Sequence, residues 1–297
     1  MHKILAVGDI HLKQSIVLPY VEKAADTLDV DDIVFMGDYV DDFICGEDCF
    51  MSEIEYHLKW YEENKTKYNI VNLCGNHDWS YLHPDGVLAS GCNLNLNPVA
   101  SDALNTLEVR AAFAKDSMLF THAGVNRNWA EISDVNISDA ESCCSDINKM
   151  FDSGDSSINM CASGRGGSDE ASGPLWCDQS EIYSATMPIG MPFSQIVGHT
   201  PMQHMFNDVY RNGTTCTFTD TLSCTRSGMS YGDGSILLIV KDDEGVIGKG
   251  EIRFDDITNK SWETATHSRK VSILNSYYGM QPLDMRQYQN NLVQGYF

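Results

Sequence analysis

ILAVGDIH at residues 4–11, IVFMGDYVDD at 33–42 and IVNLCGNHD at 70–78 share one plan: a short apolar run, a glycine, then polar residues of metal-binding type. The runs Ile4–Val7, Ile33–Met36 and Ile70–Cys74 are rich in Val, Ile and Leu, as strands buried on both faces are. Between them lie segments of helical spacing, Ile16–Leu28 and Met51–Tyr68. Gly8 and Gly37 are 29 residues apart and Gly37 and Gly75 are 38, room for one strand–helix–strand crossover each. The strands are therefore predicted to be parallel, with the polar residues gathered at their carboxyl ends, the edge of an open α/β sheet where ligands bind. Two further blocks, HAG at 122–124 and GHT at 198–200, follow the apolar runs Met118–Phe120 and Gln195–Val197.

The chain of 297 residues, 42% hydrophobic, is long enough for one large domain with a substantial core. Forty-two acidic residues against 20 Lys and Arg give a formal charge of −22. Such a field repels nucleic-acid duplexes and anionic membranes as partners. No segment approaches the roughly 18 apolar residues of a membrane span, and the N-terminus runs straight into a strand instead of a signal peptide. A cytoplasmic protein with reduced thiols is the expectation, so the 10 cysteines, Cys45 and Cys49 included, read as isolated thiols.

Beyond His122 the pattern loosens. Residues 154–173 are dominated by Gly, Ser and Asp and read as a long loop before GPLW at 173–176. Thr215–Thr219 and Ser235–Val240, with turn-rich residues 226–234 between them, read as antiparallel strands. From about residue 260 the periodicity is weak while aromatics persist. This divides the chain into a domain at 1–255 and a C-terminal extension at 256–297 that packs back on the domain or binds a partner.

Asp9 and His11, two apart after a strand and a glycine, can aim at one point. Asp38 has two oxygens able to bridge two cations. Asn76, His122 and His199 offer an amide oxygen and two imidazoles at further strand ends. Taken singly, such residues are more often helix caps or turn residues. Together and in this order they read as one site. Carboxylate, amide and imidazole ligands without thiolate suit manganese first, with iron or zinc also fitting. Six ligand residues exceed what one catalytic ion needs, so two divalent ions roughly 3.5–4 Å apart are predicted to share Asp38 and activate a bridging water as nucleophile.

GDIH, GDYVD, GNHD, HAG and GHT, in this order, resemble the calcineurin-like metallophosphoesterases, and within them the phosphoprotein phosphatase superfamily with its bacterial and bacteriophage serine/threonine phosphatases. The resemblance runs from about residue 3 to 240. PLW at 174–176 is similar to the tryptophan segment of bacterial members, and TDT at 219–221 with GDGSILLIV at 232–240 to the family's closing hairpin. It implies an α/β sandwich of two mixed sheets flanked by helices. It also implies that Asp9 and His11 hold one metal, that Asp38 bridges, and that Asn76, His122 and His199 hold the other. His77 would be the general acid, oriented by Asp41. The implied substrate is a phosphorylated small molecule, nucleotide or phosphoprotein.

Two positions depart from that pattern. Asp42 and Asp178 stand where the family places arginines that grip phosphate, and both carry the opposite sign. Arg127, after HAG, and Arg165, in the Gly/Ser loop, are the candidate replacements, with Lys13 beside GDIH. His57 reads as structural, and His204 is the remaining histidine with a path to the metals. Three functions stay open at this point: a phosphomonoesterase, a phosphodiesterase or dinucleoside polyphosphate hydrolase, and a non-catalytic metal-binding module. The first is favoured, and retention of the six ligands together with His77 and Asp41 argues against the third.

Overall fold

The computed structural model describes residues 2–42, 45–186, 190–223, 231–241 and 247–252. Its strands are β1 (His2–Val7), β2 (Asp32–Phe35), β3 (Asn69–Asn72), β4 (Ala112–Lys115), β5 (Met118–Thr121), β6 (Ser194–Val197), β7 (Phe206–Val209), β8 (Thr215–Phe218), β9 (Ile236–Lys241) and β10 (Ile247–Ile252). They form two five-stranded mixed sheets, ordered β10-β9-β1-β2-β3 and β4-β5-β6-β8-β7. In the first, β1, β2 and β3 are parallel, as the crossover spacing predicts, and β9 runs antiparallel to β1. In the second, β5, β6 and β8 are parallel.

The alternation of side chains along β1 explains its unbroken apolar run. Ile4 and Ala6 face a core shared with Met118, Phe120 and Ile196 of the other sheet. Leu5 and Val7 face the opposite way, into a second core with the helices. Those helices are α1 (Gln14–Leu28), α2 (Glu47–Asn64), α3 (Asn76–Leu82) and α4 (Asn97–Thr106); α5 (Arg127–Ile132), α6 (Ala140–Ser153) and α7 (Gln179–Thr186) follow the second sheet. On α1 the buried positions Val17, Leu18, Val21, Ala24, Ala25 and Leu28 form one stripe of three-and-four spacing. Asp139 caps α6 by accepting the Ser142 N–H at 2.7 Å, and Gly154 ends it in the left-handed region.

Two expectations are corrected. The strands at 215–219 and 235–240 each lie in an antiparallel pair, but not with one another: β8 pairs with β7, and β9 with β1 and β10. Both strands are short and apolar enough to serve either sheet, and partner choice is set by the cores they enter. Second, Cys45 and Cys49 are joined in a disulfide with their Cα atoms 5.6 Å apart, where the first turn of α2 brings them together. The segment 154–173 is a long loop as expected, with two short 3₁₀ turns, Ser156–Asn159 and Ser163–Arg165. The expected C-terminal extension lies outside the described residues. Among the described residues no helix is long and apolar enough to cross a membrane.

Candidate metal centre

Every predicted ligand block follows the carboxyl end of a parallel strand: Asp9 after β1, Asp38 after β2, Asn76 after β3, His122 after β5 and His199 after β6. Two glycines let these ends close on each other. A Cβ on Gly75 would lie 2.0 Å from Asp38 Oδ1, and one on Gly198 would lie 2.2 Å from Asp9 Oδ1. His11, Asp38, Asp41 and His199 all hold left-handed backbone, with φ of 46°, 53°, 67° and 61°. Such conformations cost on the order of 1–3 kcal/mol each and persist where the surroundings over-determine them. Here the surroundings include Asp78, whose buried carboxylate accepts the N–H groups of Asp38 at 2.7 Å, Gly75 at 2.8 Å and Tyr39 at 3.0 Å. One side chain thus ties the β2 and β3 loops together.

The ligand atoms converge. His122 Nδ1 donates to the Met36 carbonyl at 2.8 Å, which leaves the lone pair on Nε2. That Nε2 lies 3.0 Å from Asn76 Oδ1, 3.1 Å from His199 Nδ1 and 3.4 Å from Asp38 Oδ2. His199 Nδ1 lies 3.1 Å from the same Asn76 oxygen, and its buried Nε2 has no hydrogen-bond partner. His11 likewise donates Nδ1 to the Asp41 carbonyl at 3.1 Å and turns Nε2 to within 3.6 Å of Asp38 Oδ2. Asp9 accepts the His199 backbone N–H at 3.0 and 3.1 Å. Two groups of ligand atoms, His11–Asp38–His77 and Asp38–His122–His199, each lie within 4.8 Å of one another, and Asp38 belongs to both.

Burial pushes these groups away from charge in both directions. The Asp38 carboxyl is raised to about 8 by burial, against the pull of His77, and Asp220 is raised to about 6, again by burial. Asp9 rises well above the carboxylate range through burial and the neighbouring Asp220 and Asp38. Burial lowers His122 to about 3 and holds His11 and His199 well below the ordinary histidine value. Lone pairs of imidazole, amide and carboxylate facing one another at 3.0–3.4 Å repel unless a cation lies among them. A divalent ion would hold the carboxylates ionised and the imidazoles neutral, so the donor set fits a metal.

Beside the ligands, His77 Nδ1 lies 3.1 Å from Asp41 Oδ2. The other Asp41 oxygen accepts the Tyr81 hydroxyl, which in turn accepts the Asn93 N–H at 2.9 Å. Burial works to lower the His77 pKa, but Asp38 and Asp41 outweigh it and raise it to about 9.

The remaining predicted residues sort themselves by contact. Arg127 does not join the cluster; its Nη2 donates to the Gly190 carbonyl at 2.6 Å. Lys13 donates to the carbonyls of Ile10 and His11 at 3.1 and 3.2 Å. His204 pairs with Asp233 at 3.0 Å on the exposed surface and belongs to neither ligand group. Asp42 is half-buried directly after Asp41. Asp178, expected to set a carboxylate against phosphate, faces Arg165: its Oδ2 lies 3.4 Å from Arg165 Nε. Asp78, Tyr81 and Asp220 were not singled out from sequence. Asp78 ends GNHD and Asp220 centres TDT, so both had a signal; Tyr81 had none.

No curated protein sequence matches the chain. Among solved structures it is similar to a serine/threonine phosphatase of Saccharomyces cerevisiae, at 13% identity and TM-score 0.47 over 85% of this chain and 80% of that one. It is also similar to a metallophosphoesterase of Sphaerobacter thermophilus, at 14% identity and TM-score 0.38 over 92% and 98%. The family model described as calcineurin-like phosphoesterase matches residues 2–170, more than half of the chain. The chain belongs to the calcineurin-like phosphoesterases, metal-dependent hydrolases of phosphoric esters.

Proposed function

We propose that the chain is a phosphomonoesterase that works with two divalent cations, manganese first, on a phosphorylated small molecule, nucleotide or phosphoprotein. The observation that carries the reading is the double membership of Asp38, whose carboxylate belongs to both convergent ligand groups. His11, with Asp9 from outside the two groups, would complete one site, and Asn76, His122 and His199 the other, while His77, the third member of the first group, is kept for the proton. When bound, the two cations supply charge neutralisation at the phosphoryl group and activation of water. His77 then holds the proton for the leaving alkoxide, and Asp41 is the positioning residue that engages the imidazole through Nδ1. Tyr81 fixes Asp41 in turn. Asp42 favours a second reading, a phosphodiesterase or dinucleoside polyphosphate hydrolase, since a carboxylate beside the site disfavours a dianion more than a monoanion.

Chelator-treated protein, reloaded with Mn²⁺, is assayed on a phosphomonoester and a phosphodiester of the same chromogenic alcohol and on dinucleoside polyphosphates. The monoester is expected to turn over fastest, and Asn76→Ala to lose both activity and one equivalent of metal. His77→Asn is expected to lower turnover by roughly 10²–10⁴-fold on an alkyl phosphate, and by much less on a nitrophenyl ester whose leaving group needs no proton. Faster diester turnover would select the second reading, and equal losses on both leaving groups would remove His77 from the acid role.

A further inference from the structure

The floor of the centre is rich in carboxyl groups, which bound cations would hold ionised. Asp9, Asp38, Asp41, Asp78 and Asp220 are all buried, and a phosphomonoester brings further negative charge to them. A cation facing the substrate is therefore required besides the metals. Arg127 and Lys13 are turned to backbone carbonyls. Among the described arginines, Arg165 is the one that reaches Thr200, the residue directly after His199.

Its setting is a built one. Arg165 Nη2 lies 3.4 Å from Thr200 Oγ1, on the residue directly after the ligand His199, and Nε lies 3.4 Å from Asp178 Oδ2. Both separations are longer than good charge-assisted hydrogen bonds of roughly 2.7–2.9 Å, so the guanidinium is held without being saturated. Its buried Nε makes no hydrogen bond, and a guanidinium has five donors to offer. Asp178 Oδ1 accepts the Ser180 hydroxyl at 2.6 Å and the Glu181 N–H at 3.0 Å at the start of α7, while Oδ2 faces Arg165. Gln179, next in sequence, gives its backbone N–H to Thr200 Oγ1 at 3.3 Å. Its buried side-chain amide has a hydrogen-bond partner on neither atom. An unsaturated guanidinium and an unpartnered amide thus share one patch beside the metal ligands.

We infer that Arg165 is the phosphoryl-binding cation of this enzyme and that Asp178 is its positioning residue, a carboxylate that holds the arginine instead of opposing the substrate. This deepens the phosphomonoesterase reading and rests on it for the substrate's charge. An arginine delivered from the 154–173 loop makes up for the negative charge at Asp42 and accounts for the sign at Asp178.

The test begins with a measurement that needs no turnover: titration calorimetry of inorganic phosphate into Mn²⁺-loaded protein, wild type against Arg165→Gln. Phosphate affinity is expected to fall roughly 10- to 100-fold with metal content unchanged, and Arg165→Lys to recover part of it. On substrates, Arg165→Gln is expected to lower kcat/KM for the monoester at least tenfold more than for the diester. Asp178→Asn keeps the α7 cap through Oδ1 but removes the charge, so a severalfold rise in KM at unchanged melting temperature is expected. Equal phosphate affinity in wild type and Arg165→Gln, or absence of phosphate binding to the wild type, overturns the inference whatever the enzyme hydrolyses. Loss of monoester and diester turnover in equal proportion overturns it as well, leaving the ion pair a mere loop anchor. Phosphate affinity that depends on Arg165 in a protein that hydrolyses no monoester would retain the anion site and reject the proposed function.

Discussion

Gly75→Ala isolates the close approach on which the centre depends. Gly75 caps α3 with φ −94° and ψ 177°, ordinary extended backbone that alanine adopts without strain. Conformation alone therefore predicts little harm, since reducing the freedom of the unfolded chain stabilises by about 0.4–1 kcal/mol. Space predicts the opposite. The added Cβ would lie 2.0 Å from Asp38 Oδ1 and 2.6 Å from Asp38 N, and the second of these is backbone that cannot rotate away. Ordinary carbon contacts lie at about 3.5 Å, so the β2 and β3 loops must part by roughly an ångström. A displacement of about 1 Å is enough to cost on the order of 10²-fold in rate, whereas overpacking costs about 1–3 kcal/mol of stability. The control is Gly46→Ala. Gly46 caps α2 with φ −80° and ψ 179°, and a Cβ there meets nothing within 4 Å. Both variants carry the same alanine-for-glycine change at a helix cap, so the difference between them reports the contact with Asp38. Metal content by elemental analysis, steady-state turnover and a thermal melt are measured for both. Gly75→Ala is expected to lose metal occupancy and turnover by about 10²-fold relative to Gly46→Ala while both remain folded. Equal metal content and turnover within threefold in the two variants would refute the claim that Gly75 is there to admit Asp38.

Two further outcomes are expected. His57 is buried against Phe35 and Tyr39, neither ring nitrogen has a hydrogen-bond partner, and burial lowers its pKa to about 3. The folded state therefore prefers the neutral ring: stability is whole above the unfolded value near 6.5 and falls as pH drops toward 3, by about 2 kcal/mol at pH 5. Denaturant melts of His57→Leu should show a loss between pH 8 and pH 5 smaller than wild type's by that amount, and an unchanged pH dependence would contradict the assignment. Removing the Cys45–Cys49 disulfide, which closes a loop only a few residues long, should cost roughly 2 kcal/mol by chain entropy. Melting of Cys49→Ser against oxidised wild type checks this, and identical midpoints under oxidising conditions would show that the bridge adds nothing.

How far the centre was legible from sequence follows from the range of each interaction. The apolar runs before Gly8, Gly37 and Gly75, the helical spacing between them and the metal-binding types after each glycine are local patterns. Strand, crossover and the residue types able to bind metal can all be read from them, and β1, β2 and β3 are parallel as read. The role of Asp78 is not legible from GNHD, because it accepts backbone N–H groups from a different loop, about 40 residues away. Tyr81 gave no sign, since its partner Asp41 is likewise distant in sequence. The Cys45–Cys49 bridge is not legible from residue types, because the Cα spacing that permits it is set by the entry into α2.

The sequence by itself determined which residues are able to bind metal, their order, and their places at strand ends, because each depends on a few neighbouring residues. Only the tertiary structure decided which sheet β8 and β9 enter, that Asp38 is common to both ligand groups, and that Asp178 faces Arg165. These depend on where separate loops meet when the two sheets pack. The sign of one side chain is read along the chain, but what that charge does is settled by the group it faces across space.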